Sequence, residues 1–246
     1  LLVTIILTSI AFIANSCKDQ STSTIDRSSY LNLAQGNWWE YEVYSLDESN
    51  NPTENIISTD TITLGAMAKL DGKSAYPLLN SNTNIANKEL FTHIGSDEDG
   101  IYMFMNEINM NDYITDPSVN HNIPIIIPGW IKVLDFNGDK WESFFFQMDN
   151  VIDQDTVKGK LQITGKRDGT QEVIYKGKTY SADLVKMTIS LSANVKSATT
   201  NIDESKTSDL YYAFIEGVGI YSLQQNANEL VGINNGFKEI LIDHKK

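Results

Sequence analysis

From Trp38 onward, apolar and polar residues alternate with a period of two. In Trp38–Tyr44 the pattern places Trp39, Tyr41 and Val43 on one face and Trp38, Glu40, Glu42 and Tyr44 on the other. That is the signature of a strand with one buried face. Ile56–Leu64 alternates again. Leu161 and Ile163 oppose Lys160, Gln162 and Thr164. Thr179–Leu191 is the cleanest case, with Val185, Met187, Ile189 and Leu191 predicted inward and Lys186, Thr188 and Ser190 outward. Ile101–Met105 is apolar on both faces, which predicts a central strand.

Turn residues separate these runs. Asp71-Gly72, Asp97–Gly100, Lys176-Gly177-Lys178, Glu216-Gly217-Val218 and Asn234-Asn235-Gly236 each divide two strand-like runs. Asn137-Gly138, between Trp130–Phe136 and Lys140–Met148, is the strongest short hairpin signal in the chain. Arg167-Asp168-Gly169 reads as a further turn, and Ala193–Ser208 as a polar Ser/Thr/Asn loop. Asn106–Trp130 carries Pro117, Pro124 and Pro128, which predicts an edge or a long loop, because proline cannot donate to a ladder. No stretch sustains a helical repeat. The expectation is an all-β fold with little helix: an antiparallel sheet forming an open half-barrel or a sandwich.

The N-terminus differs from all of this. Leu1–Ile13 is almost unbroken apolar sequence without a charge, and it closes on Ala14-Asn15-Ser16-Cys17. It is shorter than the roughly 20 residues a bilayer-spanning helix needs. The stretch resembles a bacterial lipoprotein signal peptide with its lipobox, and that resemblance implies cleavage after residue 16 and lipidation of Cys17. Lacking a Met and a basic region ahead of it, the chain is expected to begin inside a longer precursor. Residues 17–28 then form a Ser/Thr-rich tether and residues 29–246 a single β domain. Lys18 rather than Asp follows the cysteine, which by analogy with lipoprotein sorting points to the outer membrane.

Three later features, Gly36–Tyr41, Lys176–Leu191 and Tyr211–Gly219, together resemble a family of mostly uncharacterised bacterial lipoproteins. Such proteins are similar to half-barrel lipoprotein carriers of the cell envelope. The resemblance implies an architecture rather than an activity.

Composition narrows the function classes. Lys and Arg number 19 against 32 Asp and Glu, a net charge of -13. So acidic a chain repels phosphate backbones, which argues against nucleic acid as a partner, and repels anionic lipid, which leaves membrane attachment to the acyl anchor. One cysteine allows neither an internal disulfide nor a cysteine-based zinc site. Asp135, Asn137 and Asp139 alternate as in a calcium loop, but the hairpin explains the same residues. His93, His121 and His244 are isolated, no phosphate-cradling loop is present, and no metal or cofactor is expected.

Aromatic residues are the enriched chemistry. Trp38 and Tyr44 share a face with Glu40 and Glu42, and a polar-rimmed aromatic face is how a sheet stacks a sugar or an apolar ligand. Ile125, Ile126, Ile127 and Trp130 form an apolar loop and its exit, either tucked over the core or a candidate lip for a lipid tail or a partner. These six residues are the predicted ligand contacts. The expected function is a non-catalytic, monomeric envelope lipoprotein binding or carrying a hydrophobic or glycan ligand or another envelope protein. A carboxylate-dependent hydrolase and a structural or adhesive surface protein are the alternatives.

Overall fold

A computed structural model describes residues 30–80, 91–105, 129–152, 155–196, 201–226 and 236–245. Every regular element among them is a strand: β1 (Trp38–Leu46), β2 (Pro52–Leu64), β3 (Ala68–Leu70), β4 (Lys73–Asn80), β5 (Phe91–Ser96), β6 (Gly100–Met105), β7 (Gly129–Asp135), β8 (Lys140–Ile152), β9 (Asp155–Tyr175), β10 (Lys178–Lys196), β11 (Asn201–Ile215), β12 (Gly219–Gln225) and β13 (Phe237–Lys245).

All the pairings are antiparallel, and the strands join one sheet in the order β7-β6-β5-β4-β2-β1-β13-β12-β11-β10-β9-β8, with β3 added beside β4. The two ends of that order, β7 and β8, are neighbours in sequence. The sheet therefore curls until its own edges meet. No ladder joins them. Side chains close the seam instead: Trp141 Nε1 and Ser143 Oγ both donate to the Lys132 carbonyl, at 2.8 and 2.9 Å. The result is a nearly closed barrel, and the sandwich alternative falls.

The alternation decides what fills it. Trp39, Tyr41, Val43, Val185, Met187, Leu191, Leu210, Tyr212, Phe214 and Leu241 point inward and are buried. Tyr212 and Phe214 stack at 5.6 Å inside the barrel. Trp39 Nε1 donates to the Val218 carbonyl at 2.9 Å, and Tyr41 Oη to the Ile220 carbonyl at 3.0 Å. Gly219, at φ 132°, makes room for this: a Cβ there would lie 2.6 Å from Trp39 Nε1. Ahead of β1, Tyr30 and Leu31 are buried, Tyr30 Oη donates to Asp183 Oδ2 at 2.6 Å, and Gly217 N–H donates to the Tyr30 carbonyl. This segment crosses one end of the core. All of β6 is buried, as its two-faced apolar sequence predicts.

Three expectations about connections are corrected. Asn137-Gly138 does join two strands, but they form the seam rather than a laddered hairpin. Arg167-Asp168-Gly169 is no strand-ending turn, because β9 runs through it. The pairing steps from Asp183↔Thr170 to Val185↔Arg167, a β-bulge with Gly169 at φ 93°. The polar stretch Ala193–Ser208 is mostly strand: β10 extends to Lys196, β11 starts at Asn201, and Asn194 pairs with Asp203. Alternating Ser, Asn, Asp and Lys satisfied the ladder there without an apolar face to announce it.

Candidate functional site

The site follows from the register of the outward residues. Cross-strand partners in an antiparallel sheet share a face and lie side by side. Lys140 pairs with Lys166, Lys166 with Lys186, and Lys186 with Tyr211. Tyr211 pairs with Gln224, Gln224 with Lys238, and Lys238 with Tyr44. These seven residues form one row across the outer face, from β8 to β1. Their chain neighbours Val185, Met187, Leu210, Tyr212, Phe237, Glu239 and Val43 are buried inside, which fixes the row as outward.

Two clefts open on this row. One, of about 620 Å³, is lined by Tyr211, Gln224, Lys238, Ile240, Ser222 and Tyr221, with Glu172 and Asp168 on its β9 wall and Asn50 at its rim. The other, of about 630 Å³, is lined by Lys140, Lys166, Lys186, Glu142, Gln162 and Thr188.

The lysines of the row are not equivalent. Lys186 Nζ meets Asp209 Oδ2 at 2.8 Å, and the bond to that carboxylate pushes the Lys186 pKa up. Lys166 Nζ meets Asp168 Oδ1 at 2.8 Å, and this bond lowers the Asp168 pKa. Lys140 and Lys238 have no ion-pair partner among the described residues. Lys238 is half-buried, and burial alone lowers its pKa.

Of the predicted contacts, Tyr44 stands in the row, half-buried, with Oη donating to Glu42 Oε2 at 2.5 Å, a bond that raises its pKa. Trp38 lies on the same outward face of β1, further along the strand, and lines neither cleft. Trp130 belongs elsewhere: its Nε1 donates to the Leu70 carbonyl at 3.2 Å and its ring meets Phe104 edge-on at 5.1 Å. It packs the hairpin of β3 and β4 against β6 and is not brought to Tyr44. Cys17, Ile125, Ile126 and Ile127 lie outside the described residues.

The four lysines, Tyr211 and Gln224 were missed from sequence because no two of them are close in the chain. The bulge at Gly169 matters here. Extending the register of the Lys176-Gly177 turn unbroken would set Lys186 opposite Arg167; the bulge sets it opposite Lys166.

Two carboxylates near the clefts are committed to other bonds. Asp168 serves Lys166, and Glu142 Oε2 accepts from Gln162 Nε2 at 2.8 Å. A general acid needs a raised pKa, whereas that of Asp168 is lowered. Asp135 Oδ1 accepts from the Asn137 backbone and Asn137 Nδ2 donates to Asp99 Oδ1, so this turn uses its oxygens internally.

No family model matches the chain, and no curated protein does. Three solved structures do resemble it. A protein of Parabacteroides distasonis, provisionally described as a lipoprotein, gives a TM-score of 0.46 at 12% identity, covering 89% of this chain and 100% of that one. An exported protein with a YmcC-like fold from Bacteroides fragilis, likewise provisionally described, gives 0.35 at 14% identity, over 88% and 99%. The hypothetical lipoprotein YmcC of Escherichia coli gives 0.29 at 8% identity, over 98% and 95%. Scores this low leave what the chain does to be argued from its own residues.

Proposed function

We propose that this chain is a non-catalytic, lipid-anchored envelope protein that binds a glycan on the outer face of its barrel. The observation that carries the reading is the row from Lys140 to Tyr44 with its two clefts. Of the three ligand classes the sequence left open, a glycan suits this surface best. Buried side chains occupy the barrel interior, so an apolar cargo inside it has no support among the described residues. The cleft at Lys238 mixes the rings of Tyr211 and Tyr221 with amide and hydroxyl groups, which is what a sugar's apolar faces and hydroxyls require. The anchor is Cys17, following the apolar run and Ala14-Asn15-Ser16. Lys18 after it supports the outer membrane as the location, and the working unit is the monomer.

Two experiments test this. Cys17→Ser should move the protein from the membrane to the soluble fraction; retention in the membrane would sink the anchor. For the ligand, an oligosaccharide array should return binders to the native protein, and Tyr211→Ala should lose them. An array with no binder, or one blind to the Tyr211 change, would overturn the glycan reading.

A further inference from the structure

We infer that the ligand is an extended acidic oligosaccharide laid along the outer-face row, with Lys238 as the cation that anchors it. The inference rests on the glycan reading above and adds the ligand's charge and its direction.

The chain carries -13 overall, yet four of its lysines fall in a single cross-strand row. Three are direct neighbours, and like charges directly opposite each other destabilise a sheet. Asp209 and Asp168 relieve Lys186 and Lys166. Lys140 at one end and Lys238 near the other have no such relief among the described residues. An anionic ligand supplies it at both places. From β8 to β13 the row crosses five strand spacings, about 24 Å at ~4.8 Å each. A single anion would meet only one of these lysines, whereas an extended chain meets both.

Lys238 is the stronger of the two. It lies in the cleft between Tyr44 and Gln224, with Tyr211 one strand further and Ser222 and Asn50 lining the same space. Burial disfavours its charged form, and a partner carboxylate or sulfate inside the cleft restores it. Glu172 and Asp168 line the opposite, β9 wall. They repel a second acid and accept hydrogen bonds from hydroxyls. A ligand that offers an acid on one side and hydroxyls on the other is an acidic sugar. A polyphosphate or nucleic acid strand would place charge against both walls, and the net charge of the chain repels it further. A planar lipid surface cannot reach a half-buried lysine in a cleft.

The test uses the full chain with an oligogalacturonate hexamer and with its methyl ester, which keeps the sugars and removes the charge. Calorimetric titration should show the acid form bound about tenfold or more tighter than the ester, the size of one charge-assisted hydrogen bond. Lys238→Met should cut that preference several-fold, to what Lys140 still supplies, with thermal stability unchanged. Lys140→Gln, a change at an exposed site, should weaken the acid form alone and guards against a folding artefact in the first variant. Equal binding of acid and ester would overturn this inference and leave the glycan reading standing. Binding of neither would overturn this inference, and the glycan reading would then stand or fall by the array. Single-stranded DNA or phosphatidylglycerol vesicles bound as tightly as the hexamer, through Lys238, would overturn it in favour of a general polyanion surface.

Discussion

Trp141 donates its indole N–H to the Lys132 carbonyl at 2.8 Å, across a seam where β7 and β8 share no ladder. Its ring reaches this position only because Gly165, its cross-strand partner, has no side chain. A Cβ there would lie 2.1 Å from the indole. Gly165→Ala is therefore expected to push the ring off the seam and destabilise the fold by about 1–3 kcal/mol, the usual cost of overpacking. Urea denaturation measures it. An unchanged midpoint would mean that Trp141 does not lock the seam.

Met187 lies on the other side of Gly165, inside the barrel and 2% exposed. Met187→Ala should cost roughly 2–5 kcal/mol by transfer and cavity terms together. The outward neighbours Lys186 and Thr188 should tolerate alanine far better. If the three substitutions cost the same, the inward face of β10 has been assigned wrongly.

The same contrast shows how much of this fold was legible beforehand. Inward and outward faces of β1 and β10 follow from alternation, because side-chain period is a local property of an extended chain. Two-residue turns such as Asp71-Gly72, with φ of 47° and 81°, are equally local. Seam and row are not. Asn137-Gly138 reads as an ordinary hairpin because nothing local says that its strands bound opposite edges of one sheet. Lys166 meets Lys186 only through a bulge that shifts the register by one residue. Tyr44 was visible as an outward aromatic, but its neighbour Lys238 is brought to it from nearly the far end of the chain.

Asp97 sets part of the acid limit. Burial on its own would raise its pKa, but the bond from Lys73 at 2.8 Å, the backbone N–H groups of Asp99 and Gly100, and the charge of Lys73 outweigh it and lower the value. Lys73 Nζ also sits 3.8 Å from the centre of the Tyr102 ring, whose hydroxyl burial pushes up to about 12. A carboxylate with a lowered folded-state pKa contributes its stability above the unfolded value of 3.8 and loses it as pH falls through the folded one. Native protein should therefore lose stability between pH 5 and the folded value, on the order of the acid range. Asp97→Asn should flatten that limb by lowering stability near neutrality, where the native carboxylate contributes in full, and the two curves should converge in acid. A limb as steep as the native one would remove Asp97 from the account.

The row's lysines should titrate in opposite directions. Lys186 is held charged by Asp209, so its proton leaves above the ordinary lysine value of 10.5. Lys238 is desolvated, so its proton leaves below 10.5. The groups that face Lys238 are Tyr44 and Gln224 beside it and Glu172 and Asp168 across the cleft, the last already bonded to Lys166. Reductive methylation with carbon-13 formaldehyde gives each lysine its own resonance, and a pH titration should place the Lys238 midpoint below that of Lys186. Asp209→Asn should lower the Lys186 midpoint and leave Lys238 where it was, because the two lysines lie three strands apart. Addition of the oligogalacturonate hexamer should raise the Lys238 midpoint, since an anion beside a desolvated ammonium favours its charged form. A Lys238 midpoint at or above that of Lys186 in the free protein would show that the lysine is solvated, and would take away the reason for treating it as the anchor.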